Sequence, residues 1–251
     1  MTPDSFSDGG RWLDPDAAVA RGLAMVDEGA DVVDVGGEST RPGADPVAED
    51  EERRRVLPVV EALAPHVRVS IDTRRVAMAE QALAAGATLV NDMSASLWPV
   101  AAAAGPGVGW VAMHMRGDPR TMQQAPAYED VVAEVRAFLV DRASAARDAG
   151  VEEIWIDPGI GFGKTAAHNL ALLRATRSLA ATGWPVLVGA SRKAFLGLVT
   201  AEGGVPAAAD DRMEASLAAA VWAGDQGASM VRVHDVRPTV QALRLLESAV
   251  S

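Results

Sequence analysis

A chain of 251 residues with 49% hydrophobic content can bury one large α/β domain or two small ones. Its 23 basic and 34 acidic side chains leave a net charge of −11, with no basic stripe to neutralise a nucleic-acid backbone, so any anionic ligand must be held by local arginines. The lack of cysteine excludes a disulfide framework, a thiolate metal site and a cysteine nucleophile.

The opening Met1-Thr-Pro-Asp-Ser-Phe lacks the basic start and apolar stretch of a secretory signal. Residues 93–115 carry no Asp, Glu, Lys or Arg, but Pro99, Gly105, Pro106, Gly107 and Gly109 argue against a membrane span. A soluble, cytoplasmic protein is expected. Residues 2–10 read as a strand-to-helix loop. Asp14-Pro15 then opens a helix with an N-cap aspartate and a first-turn proline; Ala17, Ala18, Leu23 and Val26 continue it and Gly29 stops it.

The first apolar, β-branched run covers residues 32–37. A helix over residues 49–63 starts acidic and turns basic, the order its dipole favours, with Pro58 as a kink. Further runs follow at 67–73, 88–94 and 109–115, then a long helix over 128–149 closed by Gly150. Runs at 153–159, 185–191 and 229–236, with helices over 211–227 and 238–250, complete the series. Near-continuous apolar character over such short runs is the pattern of strands buried on both faces.

Strand and helix alternation implies parallel strands joined by right-handed crossovers. The pattern predicts a single α/β domain over residues 1–251, a (β/α)8 TIM barrel lacking its first β-strand, which would lie upstream of Met1. An open doubly wound sheet is the rival, disfavoured because no Gly-x-Gly-x-x-Gly turn follows the first visible strand.

Ligands of such barrels sit at the carboxyl ends of the strands, and polar residues collect at seven of those ends. Asp72, Asn91 and Asp157 offer carboxylates and an amide suited to a ligand edge rich in N–H donors, such as an amino-pyrimidinone. Each alone could equally be a loop or helix-cap residue. Arg41, Arg232 and His234 could be ordinary ion-pair partners, or, beside helix N-termini, a pyrophosphate cradle.

The segment Gly159-Ile-Gly-Phe-Gly-Lys164 fails the phosphate-loop spacing; its glycines let backbone approach a ligand while Phe162 offers a flat apolar face. His66, His114 and His168 lack metal-ligand spacing, and Ser191 lacks the context of an acyl-enzyme nucleophile. Lysine occurs only at Lys164 and Lys193, against 21 arginines. A compact ammonium in place of a planar fork marks both lysines as places to look for chemistry, with a solvated surface charge as the plainer alternative, stronger for Lys164 than for Lys193.

Together these residues resemble the dihydropteroate synthase family of pterin-binding barrels. The likeness rests on eight motifs in order: Thr2-Pro-Asp-Ser-Phe-Ser-Asp-Gly-Gly10, Gly36-Gly-Glu-Ser-Thr-Arg-Pro-Gly43, Ser70-Ile-Asp-Thr73, Val90-Asn-Asp92, Met113-His-Met115, Asp157-Pro-Gly-Ile-Gly-Phe-Gly-Lys164, Ser191-Arg-Lys193 and Arg232-Val-His-Asp235. The resemblance implies an Mg²⁺-assisted transferase that joins p-aminobenzoate to 6-hydroxymethyl-7,8-dihydropterin diphosphate and releases pyrophosphate.

It also implies residue roles. Asp72, Asn91, Asp157 and Lys193 would hold the pterin, with Met113 and the aliphatic part of Arg232 on its faces. Thr40, Arg41, Arg232 and His234 would take the diphosphate. Phe6, Thr40, Pro42, Phe162 and Ser191 would line the p-aminobenzoate and sulfonamide pocket, and Asp8 would join the metal environment. A homodimer is the family's habit.

One departure concerns the start. The family's first strand ends in an asparagine that contacts metal and diphosphate, and here it would fall one place before Met1. A start assigned too far downstream, with Met1 standing for a valine codon, is the expectation. The alternatives are a catalytically impaired pterin-binding protein, truncated or paralogous, and a pterin-dependent methyltransferase.

Overall fold

The computed structural model describes residues 14–39 and 47–250. Helix α1 (Pro15–Asp27) starts where the sequence places it, with the Asp14 side chain accepting from the Asp16 amide at 3.2 Å. Strand β1 (Val32–Gly36) leads to α2 (Glu49–Leu63), which opens with Glu49, Asp50, Glu51 and Glu52 at its positive end and continues through Pro58. Then come β2 (Arg68–Asp72), α3 (Val76–Ala84), β3 (Leu89–Asp92), α4 (Trp98–Ala104) and β4 (Gly109–Met113).

Helix α5 (Val131–Asp148) begins three residues later than the apolar pattern suggested, because Asp130 Oδ1 accepts from the amides of Val132 and Ala133, both at 3.0 Å, and fixes the start there. Strand β5 (Glu153–Asp157) is followed by α6 (Ala166–Arg174) and α7 (Thr176–Ala180). The short β6 (Leu187–Val188) leads into α8 (Ala194–Val199). A 3-10 turn at Ala209–Asp211 delays α9 to Met213–Asp225, and β7 (Met230–Val231) and α10 (Val236–Val250) end the chain.

All strand pairs are parallel. Strands β1 to β5 neighbour one another in chain order, β6 pairs with β7, and the bridge between Ile156 and Val186 joins the two groups. The ends of the series face each other: Arg232, just after β7, places Nε 2.6 Å from Asp34 Oδ2 in β1. This is the TIM-barrel arrangement the alternation predicts. Among the described residues β1 pairs only with β2 and β7 only with β6.

Helices pack outside the strands, and the interlayer core joins Val33 and Val35 to Val56, Val60 and Leu63, and Trp110 to Leu97 and Leu139. Complete burial of each such side chain contributes on the order of 2 kcal/mol, so this layer supplies most of the stability that holds the strand ends in place. No described helix is long and apolar enough to cross a membrane.

Candidate active site

A cavity of about 760 Å³ opens at the carboxyl ends of the strands and extends between β1 and β7 towards α1 and α10. Strand alternation decides which side chains reach it. In Val-Val-Asp-Val-Gly, Val33 and Val35 turn outward into the core while Asp34 lines the cavity. At the end of β3, Asn91 lines it and Asp92 turns the other way, to the Trp110 indole and the amides of Ser94, Ser96 and Leu97.

The innermost group is a knot of carboxylates around one guanidinium. Asp34 Oδ2 accepts from Arg232 Nε and, at 3.2 Å, from Asn91 Nδ2, while Arg232 Nη2 reaches Asp72 Oδ2 at 3.3 Å. Burial, and then the neighbouring Asp34 charge, push the Asp72 carboxyl up to about 7 despite Arg232. Burial works against the Arg232 charge, but Asp34 and Asp72 more than offset it and hold that group above its ordinary range. Burial also raises Asp157, opposed by Lys193 and by the Gly159 amide, which donates to Asp157 Oδ1 at 2.7 Å.

Lys193 enters from the β6–α8 loop. Its Nζ donates to the Ile160 carbonyl and stands 4.5 Å from the centre of the Phe162 ring. Burial draws the ammonium down to about 8, against the pull of Asp157. Between Ser191 and Lys193, Arg192 adopts a left-handed φ of 58°. That conformation is held from three sides: the Arg192 amide donates to Ser216 Oγ at 2.8 Å, its carbonyl accepts from Arg212 at 2.9 Å, and its guanidinium makes two bonds to Asp235.

Ser191 Oγ meets His234 twice, accepting from its amide at 3.2 Å and standing 3.0 Å from Nδ1. Burial, with Arg232 and Arg192 adding to it, lowers His234 to about 3, so the ring is neutral at physiological pH. Met113 and Phe162 supply apolar surface to the same cavity.

The structure therefore brings together Asp72, Asn91, Met113, Asp157, Phe162, Ser191, Lys193, Arg232 and His234 from six of the seven strand ends. Phe6, Asp8, Thr40, Arg41 and Pro42 lie outside the described residues. The site residue that sequence reasoning missed is Asp34, although a carboxylate at the inward register of an otherwise apolar strand was a usable signal. Lys164 is no surface charge: it is 3% exposed and bonded to the loop it ends.

Among the described residues no three His, Asp or Glu side chains stand together as a metal cage. What the cavity offers is a group of hydrogen-bond acceptors, two cations among them, Arg232 and Lys193, and the Phe162 ring beside Lys193. Residues 1–234 match the family described as pterin binding enzyme. The chain belongs to this family.

Its relatives in the family are extensive. The chain is 50% identical to the dihydropteroate synthase of Mycobacterium leprae (strain TN), an alignment covering 98% of this chain and 89% of that protein. The Yersinia pestis dihydropteroate synthase, solved with a sulfonamide drug complex, superposes with a TM-score of 0.92 at 41% identity, over 99% of this chain and 91% of that one. The Burkholderia cenocepacia dihydropteroate synthase complexed with 7,8-dihydropteroate gives a TM-score of 0.84 at 49% identity, covering 94% and 87%.

Proposed function

We infer that the chain is a transferase that condenses 6-hydroxymethyl-7,8-dihydropterin diphosphate with p-aminobenzoate, giving 7,8-dihydropteroate and pyrophosphate in folate biosynthesis. The observation that carries this reading is the company kept in one cavity: the acceptors Asp34, Asp72, Asn91 and Asp157 share it with Lys193, with His234 and with Arg232, which is paired to Asp34 and Asp72. The acceptors suit the N–H-rich edge of a pterin, and the Lys193 and Arg232 charges with the neutral His234 donor suit a departing diphosphate.

In this reading Asp72, Asn91, Asp157 and Lys193 hold the pterin, Asp34 joins them and orients Arg232, and Met113 with the aliphatic part of Arg232 covers the ring faces. Arg232 and His234, with Thr40 and Arg41, take the diphosphate. His234, neutral, donates one ring N–H to it and keeps the other nitrogen on Ser191 Oγ. Phe162, Ser191, Phe6, Thr40 and Pro42 form the p-aminobenzoate pocket, the place where a sulfonamide competes.

The bond from the pterin methylene carbon to diphosphate oxygen breaks with its electron pair, leaving a cationic carbon that the electron-rich pterin delocalises. The arylamine lone pair forms the new carbon–nitrogen bond, and the amine then loses a proton to solvent or diphosphate. The protein's part is to hold the amine in line and to stabilise charge on the leaving group. No side chain acts as a nucleophile. Lys193, still mostly charged at neutral pH, sits where both substrates meet, with a small movable charge that a planar guanidinium would not match.

Mg²⁺ would reach this site on the diphosphate, as that ion commonly does, with Asp8 a further candidate ligand. The domain is single, and a cytoplasmic homodimer fits the exposed Leu198, Val199, Trp222 and Leu245 on α8, α9 and α10. The decisive experiment is a pyrophosphate-release assay: release that requires both substrates is expected. Pterin binding with no release would favour a catalytically impaired pterin-binding protein, and methyl transfer from methyl-tetrahydrofolate would favour the methyltransferase.

A further inference from the structure

The glycine-rich turn between β5 and α6 aims its carbonyls in two directions. Those of Ile160, Gly161 and Gly163 accept from neighbouring segments: from Lys193, from Gln123 at 2.5 Å and from Tyr128 at 2.9 Å. Those of Gly159 and Phe162 converge beneath the turn on a single atom, Lys164 Nζ, at 3.0 Å each. The same nitrogen reaches the His114 carbonyl at 3.2 Å and His114 Nδ1 at 3.0 Å.

Four acceptors around one buried nitrogen suit a compact ammonium, whereas a guanidinium fork cannot aim at convergent points. The turn also has little room to settle otherwise. A Cβ on Gly159 would stand 1.8 Å from the His114 carbonyl oxygen, and one on Gly163 2.3 Å from that of Arg116, at φ values of +64° and +61°. Burial lowers both partners, Lys164 to about 7 and, with the Lys164 charge adding to it, His114 to about 3, so the ring stays neutral and can offer Nδ1 as an acceptor.

We propose that Lys164 is a positioning residue for the p-aminobenzoate end of the site: by drawing the Gly159 and Phe162 carbonyls beneath the turn, it sets the Ile160 carbonyl and the Phe162 ring against Lys193. The inference rests on the proposed condensation, because that reaction gives the Phe162 wall its substrate. Lys164 touches neither substrate and acts only through the turn.

The test compares wild type with Lys164→Met and Lys164→Gln. The KM for p-aminobenzoate is expected to rise about tenfold or more while the Kd for pterin diphosphate, measured by calorimetry, stays within about threefold. A merely structural lysine would lower the melting temperature and leave both constants alone in the folded fraction. Because the chain has no cysteine, Lys164→Cys can also be alkylated with bromoethylamine while unfolded and then refolded, which restores an ammonium of nearly the same reach; recovery of the wild-type KM is expected.

A measurement on the unaltered protein covers variants that do not fold. With only two lysines, ¹³C-lysine labelling gives two Cε signals, and adding p-aminobenzoate with pyrophosphate should move both, although only Lys193 borders the ligand. A stationary Lys164 signal, or an unchanged KM in a folded variant, overturns the positioning role. A wild type that releases no pyrophosphate overturns the condensation reading instead, and the two lysine signals then judge the positioning role alone.

Discussion

Two carboxylates, one on each side of the barrel wall, are treated in opposite ways. Behind β3, Asp92 accepts from the Ser94 amide and hydroxyl, the Ser96 and Leu97 amides and the Trp110 indole, all between 2.5 and 3.1 Å. Inside the barrel, the described hydrogen bond of Asp72 is one contact of 3.3 Å from Arg232, and its nearest charged company includes another carboxylate. A carboxylate that serves the fold is saturated by protein donors; one that serves a ligand keeps acceptor capacity for it.

Breaking the saturated member should have the larger effect. Asp92→Ala strands buried donors on the turn and on Trp110, and a loss of about 3 kcal/mol or more is expected in urea unfolding. A loss under about 1 kcal/mol would show that the turn finds other partners. Inside the barrel the costs shift from stability to activity. Lys193→Ala is expected to cut turnover about tenfold or more with the melting transition retained, and near-normal turnover would count against its place between the substrates.

The mildest change sharpens the contrast through pH. The Asp72 carboxyl is raised from 3.8 to about 7, so between those values the unfolded chain releases this proton first and the native state becomes less stable as pH rises. Asp72→Asn is expected to remove that part of the slope, leave stability near pH 4 almost unchanged, and weaken pterin binding by about 1 kcal/mol. Denaturation curves at several pH values, beside calorimetry with the pterin, measure both; an unchanged slope would mean Asp72 ionises normally.

The same contrast explains what could be read from the chain alone. Strands were legible because runs such as 109–115 are apolar on both faces, and α1 because Asp14-Pro15 announces its start. The start of α5 was legible too, from Asp130, but the apolar run beginning near Tyr128 masks it. Asp34 was missed because it sits inside such a run, where alternation and not position at the strand end carries the information.

Other features needed the third dimension. The buried Glu52 receives Thr73 Oγ1 at 3.0 Å and pairs with Arg75, which also reaches Glu38 at 2.8 Å and so ties the ends of the β1–α2 and β2–α3 segments together. Nothing in the spacing of those residues indicates that they meet. The left-handed Arg192 is likewise invisible in sequence, because the residues that hold it, Arg212, Ser216 and Asp235, follow it by 20, 24 and 43 positions.

The contact between Asp34 and Arg232 has a consequence for the order of assembly. The two residues are 198 positions apart, so the deepest part of the pocket comes into being only when the last strand meets the first. Contacts of that separation incur their chain-closure entropy before they return any stabilisation, which places them late in folding. A pterin added to a refolding chain would find Asp34 and Arg232 in place only at that final step, and the moment at which full binding becomes possible is a clock for the meeting of β1 and β7.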